Sequence, residues 1–220
     1  MKQKPKQNLK QKPCAYIVKK LEEKPIYWFE LKRQSFHILL GPVLILLLEA
    51  NILDEFRILF LVVFGLILSF ISLYIKIPVV SWFLKHFERP EDMKWFPGKG
   101  KLFYFLGVLM SLVLFDRDIA YASIIVLAFG DSLSHVISRH YGEIKHPLNQ
   151  SRILEGWLIG VIAGWLGAAF FIPIWYAFWA SLIAMSIEVL ELESMHKIAD
   201  DNLAVPLAAG TIVHILRYFA

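Results

Sequence analysis

A carboxylate lies in the middle of a long apolar run. Asp131 is part of YASIIVLAFGDSLSHVI, and a charged group at that depth in hydrocarbon costs several kcal/mol unless it is paired or binds a cation. Helical spacing places on the same stripe Ser134, His135, Ser138 and Gly142. The stripe predicts a polar groove. Asp131 either binds a ligand there or packs against another helix by hydrogen bonding, and the same alternatives stand for His135.

Further acidic residues lie close to the ends of other apolar segments. Glu188 ends one segment, Asp201 begins the next, and Glu191 and Glu193 lie between them. Because hard Mg²⁺ takes one or two carboxylates plus phosphate oxygens, this acidic loop predicts a site for a metal nucleotide. Glu155 lies in the first turn of a predicted helix, where a carboxylate either stabilises the helix dipole or belongs to that site.

Basic and polar residues that could contact phosphate lie in the neighbouring loops. The turn FPGKGK carries Lys99 and Lys101, which either anchor the chain at the membrane interface or bind phosphate. Later in the chain, Pro206 removes the hydrogen bond that the Asn202 carbonyl would accept within a helix. Asp201 or Asn202 then either caps that helix or helps to bind an ion or ligand.

The elements that must position these residues are apolar helices. Of 220 residues, 57% are hydrophobic and 19% are charged, and the mean hydropathy is +0.56, which is too apolar for an ordinary soluble domain. The fold class is therefore predicted to be all-α, a polytopic integral membrane helix bundle. Residues 1–29 are predicted to form a basic, disordered cytoplasmic arm, and residues 30–220 a single transmembrane domain. The lone Cys14 excludes an internal disulfide.

About seven apolar segments are predicted to span the membrane. Of the 23 Lys and Arg residues, 20 fall on one side when the amino terminus is cytoplasmic, and Arg57, Arg117 and Arg217 fall on the other, as the positive-inside rule requires. A six-span bundle with one long helix kinked at Pro173 is the alternative. The segments are 35–50, 56–75, 102–115, 118–140, 153–172, 173–190 and 202–219.

Five blocks of the sequence resemble the CTP-dependent lipid kinases, which include dolichol kinase, phytol kinase and CTP-dependent diacylglycerol kinase. The blocks are ELKRQSFH, FPGKGKLFYFLG, GDSLSHVISRHYG, RILEG and DDNLAVPL, in this order over most of residues 30–210. In that family the GD, EG and DN-x-x-x-P blocks are regarded as the nucleotide and metal site, which implicates Asp131, Glu155, Asp201 and Asn202. The chain departs from the family pattern, partly by loss of basic charge, at Gln34, Ser134, Ser138, Ser151, Arg152 and Ile153.

The resemblance implies a kinase that transfers the γ-phosphoryl group of CTP to the hydroxyl of a membrane lipid, with Mg²⁺ or another divalent cation. A polyprenol or dolichol is the expected acceptor, and a prenyl alcohol or diacylglycerol fits the same chemistry. We expect Asp131 and Asp201 to hold the metal, and Asp131, Glu155 and Glu188 to be catalytic. The candidate nucleotide- and phosphate-binding residues are Arg33, Lys99, Lys101, Gly142, Lys145, Arg152, Gly156 and Asn202.

Two other functions are consistent with the same residues. A cytidylyltransferase that makes a CDP-lipid would use a similar acidic site with CTP and a metal. A transporter or lipid-binding protein would use Asp131 and Glu188 as a proton or ion relay, although the outer halves of the predicted spans are almost wholly apolar. The expected partners are CTP, a lipid alcohol and the bilayer, with no nucleic acid. The expected location is the cell membrane of a prokaryote or the endoplasmic reticulum membrane of a eukaryote, with the site facing the cytoplasm.

Overall fold

The computed structural model describes residues 26–88, 92–190 and 200–219. It confirms the predicted all-α class, since this part of the chain consists of helices and one short hairpin. The helices are α1 (Ile26–Glu49), α2 (Glu55–Ser72), α3 (Pro78–Phe87), α4 (Lys99–Leu114), α5 (Arg117–Ile125), α6 (Ser132–Tyr141), α7 (Leu154–Ala168), α8 (Ile174–Leu190) and α9 (Asp201–Tyr218), with a short 3₁₀ turn at Asp92–Lys94.

One long helix forms the centre of the bundle. A π-helical segment, Val126–Asp131, joins α5 and α6 into a continuous helix over Arg117–Tyr141. This central helix is largely buried, and α1, α7, α8 and α9 pack against it. Short π-helical turns within α-helices often occur at functional sites, and this one ends at the carboxylate that the sequence analysis singled out.

Three helices in the described residues are long and apolar enough to cross a membrane. They are Trp28–Glu49, Glu55–Ser72 and Arg117–Tyr141, and α7 and α8 are shorter apolar helices. Lipid-facing surfaces are apolar because hydrocarbon offers no hydrogen bonds. On α2 the exposed large apolar side chains include Phe56, Phe60, Phe64, Ile67 and Phe70. These features support a membrane protein.

The first helix begins earlier than hydropathy predicts. α1 starts at Ile26, before the predicted apolar segment. Its polar residues lower the hydropathy but are paired inside the fold, since Arg33 Nη2 donates to Glu30 Oε1 at 2.5 Å. Residues 26–29 of the predicted arm therefore belong to α1, and the predicted disorder of residues 1–25 falls outside the described residues.

α7 and α8 are two separate helices, so the one long helix kinked at Pro173 that the six-span alternative contained is wrong. α7 ends at Ala168, and α8 begins directly after Pro173. Trp165 Nε1 donates to the Ile174 carbonyl oxygen at 3.0 Å across the turn. Pro173 lies at the start of α8, where its carbonyl oxygen accepts the Ala177 N–H at 3.0 Å and its missing N–H costs nothing, because the first N–H groups of a helix have no partner within it.

Glycines at four-residue intervals let α7 approach both of its neighbours. A Cβ on Gly160 would lie 2.8 Å from the Gly130 carbonyl oxygen of the central helix and 2.8 Å from Met185 Cε of α8. A Cβ on Gly164 would lie 2.5 Å from Ser181 Oγ of α8. Such four-residue spacing of small residues is typical of close helix packing, and here it sets how near α7 lies to the central helix and to α8.

Two polar segments that connect the predicted apolar segments contain regular structure. Residues 76–101 include α3, whose Phe83 ring packs edge-on against Phe36 of α1 with centroids 5.5 Å apart. Residues 139–152 include most of an antiparallel hairpin, formed by Lys145–His146 (β1) and Asn149–Ile153 (β2).

The end of the bundle opposite the hairpin is closed by polar contacts. Arg217 of α9 pairs with Asp118 of the central helix. Tyr121 donates its hydroxyl hydrogen to Glu49 Oε1 at 2.8 Å. Asp54 caps α2 by accepting a backbone N–H from its first turn. The first two contacts join α9 and α1 to the central helix, and the third stabilises the start of α2.

Candidate active site

Four ionisable side chains meet inside the bundle, and together they are the acidic cluster. They are Asp131 and His135 of the central helix, Glu188 of α8 and Asp201 of α9. One ligand atom of each lies within 4.8 Å of the others. Asp131 and Glu188 are only 4% and 2% exposed, so the carboxylates are withdrawn from water.

The central helix places two of these side chains one turn apart. Asp131 is the last residue of the π-helical segment, and His135 follows four residues later. His135 Nε2 lies 3.3 Å from Asp131 Oδ1 and 3.9 Å from Glu188 Oε1. The imidazole therefore stands between two carboxylates and can hydrogen-bond to one of them.

The start of α9 differs in detail from the sequence prediction. The cap is Asp200, whose Oδ1 accepts the Asn202 backbone N–H at 3.2 Å, and not Asp201 or Asn202. The Asp201 side chain does not cap the helix and instead belongs to the acidic cluster. The Asn202 carbonyl, whose helical partner Pro206 removes, lies against Gly107 of α4, where any side chain would collide with it.

The donor set of the acidic cluster fits a divalent cation. Glu188 Oε2 and Asp201 Oδ1 are buried and accept no hydrogen bond from the described residues. Carboxylate oxygens are the ligands that Mg²⁺ prefers, and the His135 nitrogen would also suit softer divalent metals. Asp131, Glu188 and Asp201 are thus the residues that would hold such an ion.

A guanidinium reaches the acidic cluster from the hairpin. Arg152 Nη1 donates to Glu188 Oε1 at 3.1 Å, and its Nη2 donates to Asp201 Oδ2 at 3.5 Å. The hairpin is docked on the end of α8, because Asn149 Nδ2 donates to the Val189 carbonyl oxygen at 2.8 Å. Arg152 thus partly neutralises the carboxylates, and it is the residue type that binds phosphate in a forked geometry.

The first turn of α4 brings a second cation to the same end of the bundle. Lys99 Nζ lies 3.5 Å from Asp200 Oδ2, next in sequence to Asp201. α4 begins after Gly98, whose φ of 83° lies in the left-handed region that favours glycine. The FPGKGK turn thus brings Lys99 to the start of α9.

Two more of the predicted phosphate ligands, Arg33 and Lys101, are buried in the structure. They belong to a polar group that also contains Glu30, His37 and Glu88. Arg33 bonds to Glu30, and Lys101 Nζ lies 2.6 Å from His37 Nε2. Glu88 Oε1 accepts a backbone N–H at the start of α4. Burial raises the pKa of the Glu88 carboxyl, and the Lys101 charge opposes that rise.

Glu155 lies outside the acidic cluster. Its Oε1 accepts the backbone N–H groups of Glu143 and Ile144, each at 3.1 Å. These bonds hold the entry of the hairpin against the first turn of α7, and the same hairpin carries Arg152. Glu155 thus contacts the hairpin backbone, and it is not among the four residues of the acidic cluster.

Three further predicted site residues lie around the hairpin. A Cβ on Gly156 would lie 2.6 Å from the Ser134 carbonyl oxygen, so this glycine allows α6 and α7 to touch. Gly142 ends α6 and packs closely against Ile153. Lys145 is exposed on β1. None of these three is among the four residues of the acidic cluster.

Three buried residues of the polar group, Glu30, His37 and Glu88, are not among the site residues predicted from the sequence. Glu30 and His37 flank Arg33 at helical spacing within α1, so the i, i+3 and i, i+4 rule was a signal for both. Glu88 contacts a residue 12 positions away across a loop, and no local spacing indicates that contact.

The fold and the acidic cluster define a class: a helix bundle suited to a membrane, with a buried carboxylate site whose side chains could hold a metal ion. Sequence comparisons agree. A probable chloroplastic phytol kinase of Zea mays is 28% identical over 142 residues, 58% of this chain and 46% of the relative. The CTP-dependent diacylglycerol kinase 1 of Saccharomyces cerevisiae is 30% identical over 78 residues, 34% and 27% of the two chains.

An uncharacterized protein of Methanocaldococcus jannaschii is similar over a longer range, with 28% identity over 189 residues, 84% of this chain and 93% of the relative. The chain spans about half the length of the phytol kinases it matches. No family model and no solved structure matches it. The matches confirm the resemblance to the CTP-dependent lipid kinases.

Proposed function

We propose that this protein is a lipid kinase that transfers the γ-phosphoryl group of CTP to the hydroxyl of a membrane lipid alcohol and releases CDP. The observation that carries the proposal is the acidic cluster, where Asp131, Glu188 and Asp201 meet Arg152 inside an apolar bundle. Phosphoryl transfer needs positioned cations and in-line placement more than covalent help. The names of the phytol and diacylglycerol kinases support the reaction, and the second supports CTP.

In this proposal the carboxylates of the acidic cluster hold the metal, and neighbouring basic residues bind the phosphates of the nucleotide. Asp131 and Asp201, with Glu188, would hold Mg²⁺ or another divalent cation, which neutralises phosphate charge when bound. Arg152 and Lys99 bind those phosphate oxygens of CTP that the metal does not contact. Guanidinium and ammonium groups suit this role because they donate several charge-assisted hydrogen bonds. Glu155 positions the hairpin that carries Arg152.

Proton transfer and bond exchange follow from this arrangement. The lipid hydroxyl oxygen forms a bond to the γ-phosphorus as the bond from that phosphorus to the β-bridging oxygen breaks, and CDP leaves with the bridging oxygen. A carboxylate of the acidic cluster, Asp131 or Glu188, accepts the hydroxyl proton. Burial among apolar helices excludes water, which would otherwise compete as the acceptor.

The site belongs to the cytoplasmic end of a bundle with about seven spans and a cytoplasmic amino terminus. Glu188 and Asp201 lie near the ends of α8 and α9 that face each other, Lys99 lies in the first turn of α4, and Arg152 lies on the hairpin that contacts Glu188. The basic residues of the chain concentrate in the loops at this end of the bundle. CTP would enter from the cytoplasm, and the lipid alcohol would enter sideways from the bilayer of the cell membrane or the endoplasmic reticulum.

We infer that the acceptor is a polyprenol or dolichol. The phytol kinases among the relatives support an isoprenoid alcohol, whereas the diacylglycerol kinase supports a glycerolipid. An isoprenoid alcohol presents one primary hydroxyl at the end of an apolar chain, which suits a polar site at the end of lipid-facing helices.

The test uses the purified protein in detergent with Mg²⁺ and CTP that carries label at either the α- or the γ-phosphate. The lipid panel contains polyprenol, dolichol, phytol, diacylglycerol and phosphatidate. We expect label from the γ-phosphate in an alcohol lipid. Label from the α-phosphate in the lipid would show a cytidylyltransferase, and transfer of neither label would contradict an enzymatic role with these substrates.

A further inference from the structure

Glu88, which follows α3, is a buried carboxylate outside the acidic cluster. Its side chain is 3% exposed. Oε1 accepts the backbone N–H of Gly100 at 3.2 Å, and Oε2 accepts no hydrogen bond from the described residues. A buried charge with an oxygen left unbonded is costly. The arrangement therefore calls for a structural or functional reason.

The start of α4 receives its cap from Glu88. Gly98 precedes the helix and makes no side-chain hydrogen bond to the first turn. The first N–H groups of any helix have no partner within that helix, and a carboxylate is favourable at this end. Glu88 supplies that carboxylate from 12 residues earlier in the chain.

The same turn of α4 contacts the start of α9. Lys99 Nζ lies 3.5 Å from Asp200 Oδ2, and Asp200 caps α9 through the Asn202 N–H. A Cβ on Gly100 would lie 3.5 Å from Glu88 Oε1 and 3.9 Å from Asn202 Nδ2. Gly100 is therefore held between the two side chains, and the first residue of α9 belongs to the acidic cluster.

We propose that Glu88 is a positioning residue: it holds the first turn of α4 so that Lys99 meets the start of α9, beside the acidic cluster, where Lys99 binds nucleotide phosphate. The nucleotide part of this inference rests on the proposed function. Burial raises the pKa of the Glu88 carboxyl, and Lys101 of α4, the Gly100 N–H and Arg33 of α1 act in the opposite direction. The hydrogen bond that Glu88 accepts from the Gly100 N–H is therefore what carries the inference.

The test compares Glu88→Ala and Glu88→Gln with wild-type full-length protein in detergent. Amide hydrogen exchange of peptides covering 99–104 and 200–205 reports on the junction, and calorimetric titration with CTP and Mg²⁺, without acceptor, reports on binding. Asp54→Ala is the matched control, because it removes a helix cap from α2 far from the site. We expect Glu88→Ala to speed exchange in both peptides and to weaken CTP binding, each by about tenfold.

Glu88→Gln should lie between wild type and Glu88→Ala, since its amide oxygen still accepts the Gly100 N–H but carries no charge. Asp54→Ala should change neither peptide nor the CTP affinity by more than about twofold. Unchanged exchange in Glu88→Ala would overturn the inference. Faster exchange in Glu88→Ala with unchanged CTP affinity would show that Glu88 only caps α4 and would overturn its role in nucleotide binding. Wild-type protein that does not bind CTP would contradict the proposed function, and the exchange data would still decide whether Glu88 holds the junction.

Discussion

At the residue scale, Arg152 is the cation that directly bonds two carboxylates of the acidic cluster. Arg152→Ala should weaken CTP binding about 10- to 100-fold, because a hydrogen bond to a charged group contributes about 1.5–3 kcal/mol. Calorimetric titration in the presence of Mg²⁺ measures the change. Arg57→Ala, which removes an exposed arginine in the first turn of α2, should keep the wild-type Kd. Equal Kd values for Arg152→Ala and wild type would remove Arg152 from the phosphate site.

Glu88 provides a test of pH dependence. Burial raises the pKa of its carboxyl above the ordinary value of 4.5, although Lys101, the Gly100 N–H and Arg33 act in the opposite direction. Folded protein therefore binds this proton more tightly than unfolded protein does. The corresponding stability is fully present below the ordinary pKa and is lost as the pH rises through the raised pKa.

Glu88→Gln should accordingly gain thermal stability relative to wild type as the pH increases. Melting in detergent between pH 4.5 and 8 measures this difference. The gain in stability is expected together with weaker CTP binding, a combination typical of a residue kept for function. A variant that loses stability relative to wild type as the pH rises would show that the Glu88 charge stabilises the fold.

At the element scale, the contact between α7 and the central helix sets the position of Asp131. A Cβ on Gly160 would lie 2.8 Å from the Gly130 backbone oxygen, and backbone atoms yield less readily than the end of a side chain. Gly160→Ala should therefore lower the free energy of unfolding by about 1–3 kcal/mol and reduce lipid phosphorylation. Thermal melting and the labelled-CTP assay measure the two effects.

Gly65→Ala is the control for that substitution. Its Cβ would meet the end of the flexible Leu102 side chain at 2.6 Å, which can move aside. We expect this variant to keep most of its stability and its activity. If both glycine variants behave alike, the contact of α7 with the central helix does not control the site.

The helices were predictable to the extent that hydropathy determines them. The continuous apolar runs predicted the central helix, α2 and α8 to within a few residues. α3 was missed because its ten residues mix aromatic and basic side chains, so no long apolar run marks it. Its aromatic residues are explained by the packing of Phe83 on Phe36 of α1, which only the structure shows. The early start of α1 was missed because paired polar residues lower the hydropathy there.

The candidate site was predictable in its residue types and not in its geometry. An acid in an apolar run, such as Asp131, indicates a buried site from the sequence alone. Its contact with Glu188 and Asp201 joins three helices, and no local spacing encodes such a contact. Likewise, the bond of Arg152 to Glu188 links residues 36 positions apart, so only the fold shows that the basic hairpin neutralises the acidic cluster.

At the scale of the whole molecule, the two ends of the bundle differ in chemistry. One end carries the acidic cluster and the hairpin, and the other is closed by Arg217 with Asp118. The proposed topology predicts that, in intact cells with the protein in the plasma membrane, an impermeant maleimide labels Asn51→Cys. It predicts that Leu148→Cys reacts only after permeabilisation. Both substitutions are made with Cys14→Ser, and the reverse pattern would invert the topology.

In the proposed function, the acidic cluster catalyses phosphoryl transfer to a lipid. The most direct test compares transfer of the γ-phosphate of CTP to polyprenol by wild type, Asp131→Asn and Asp118→Asn, the last at the opposite end of the same helix. We predict a fall in kcat of about 10²–10³-fold for Asp131→Asn, in the range of lost electrostatic catalysis, and near wild-type turnover for Asp118→Asn. Full activity of a folded Asp131→Asn protein would contradict the account.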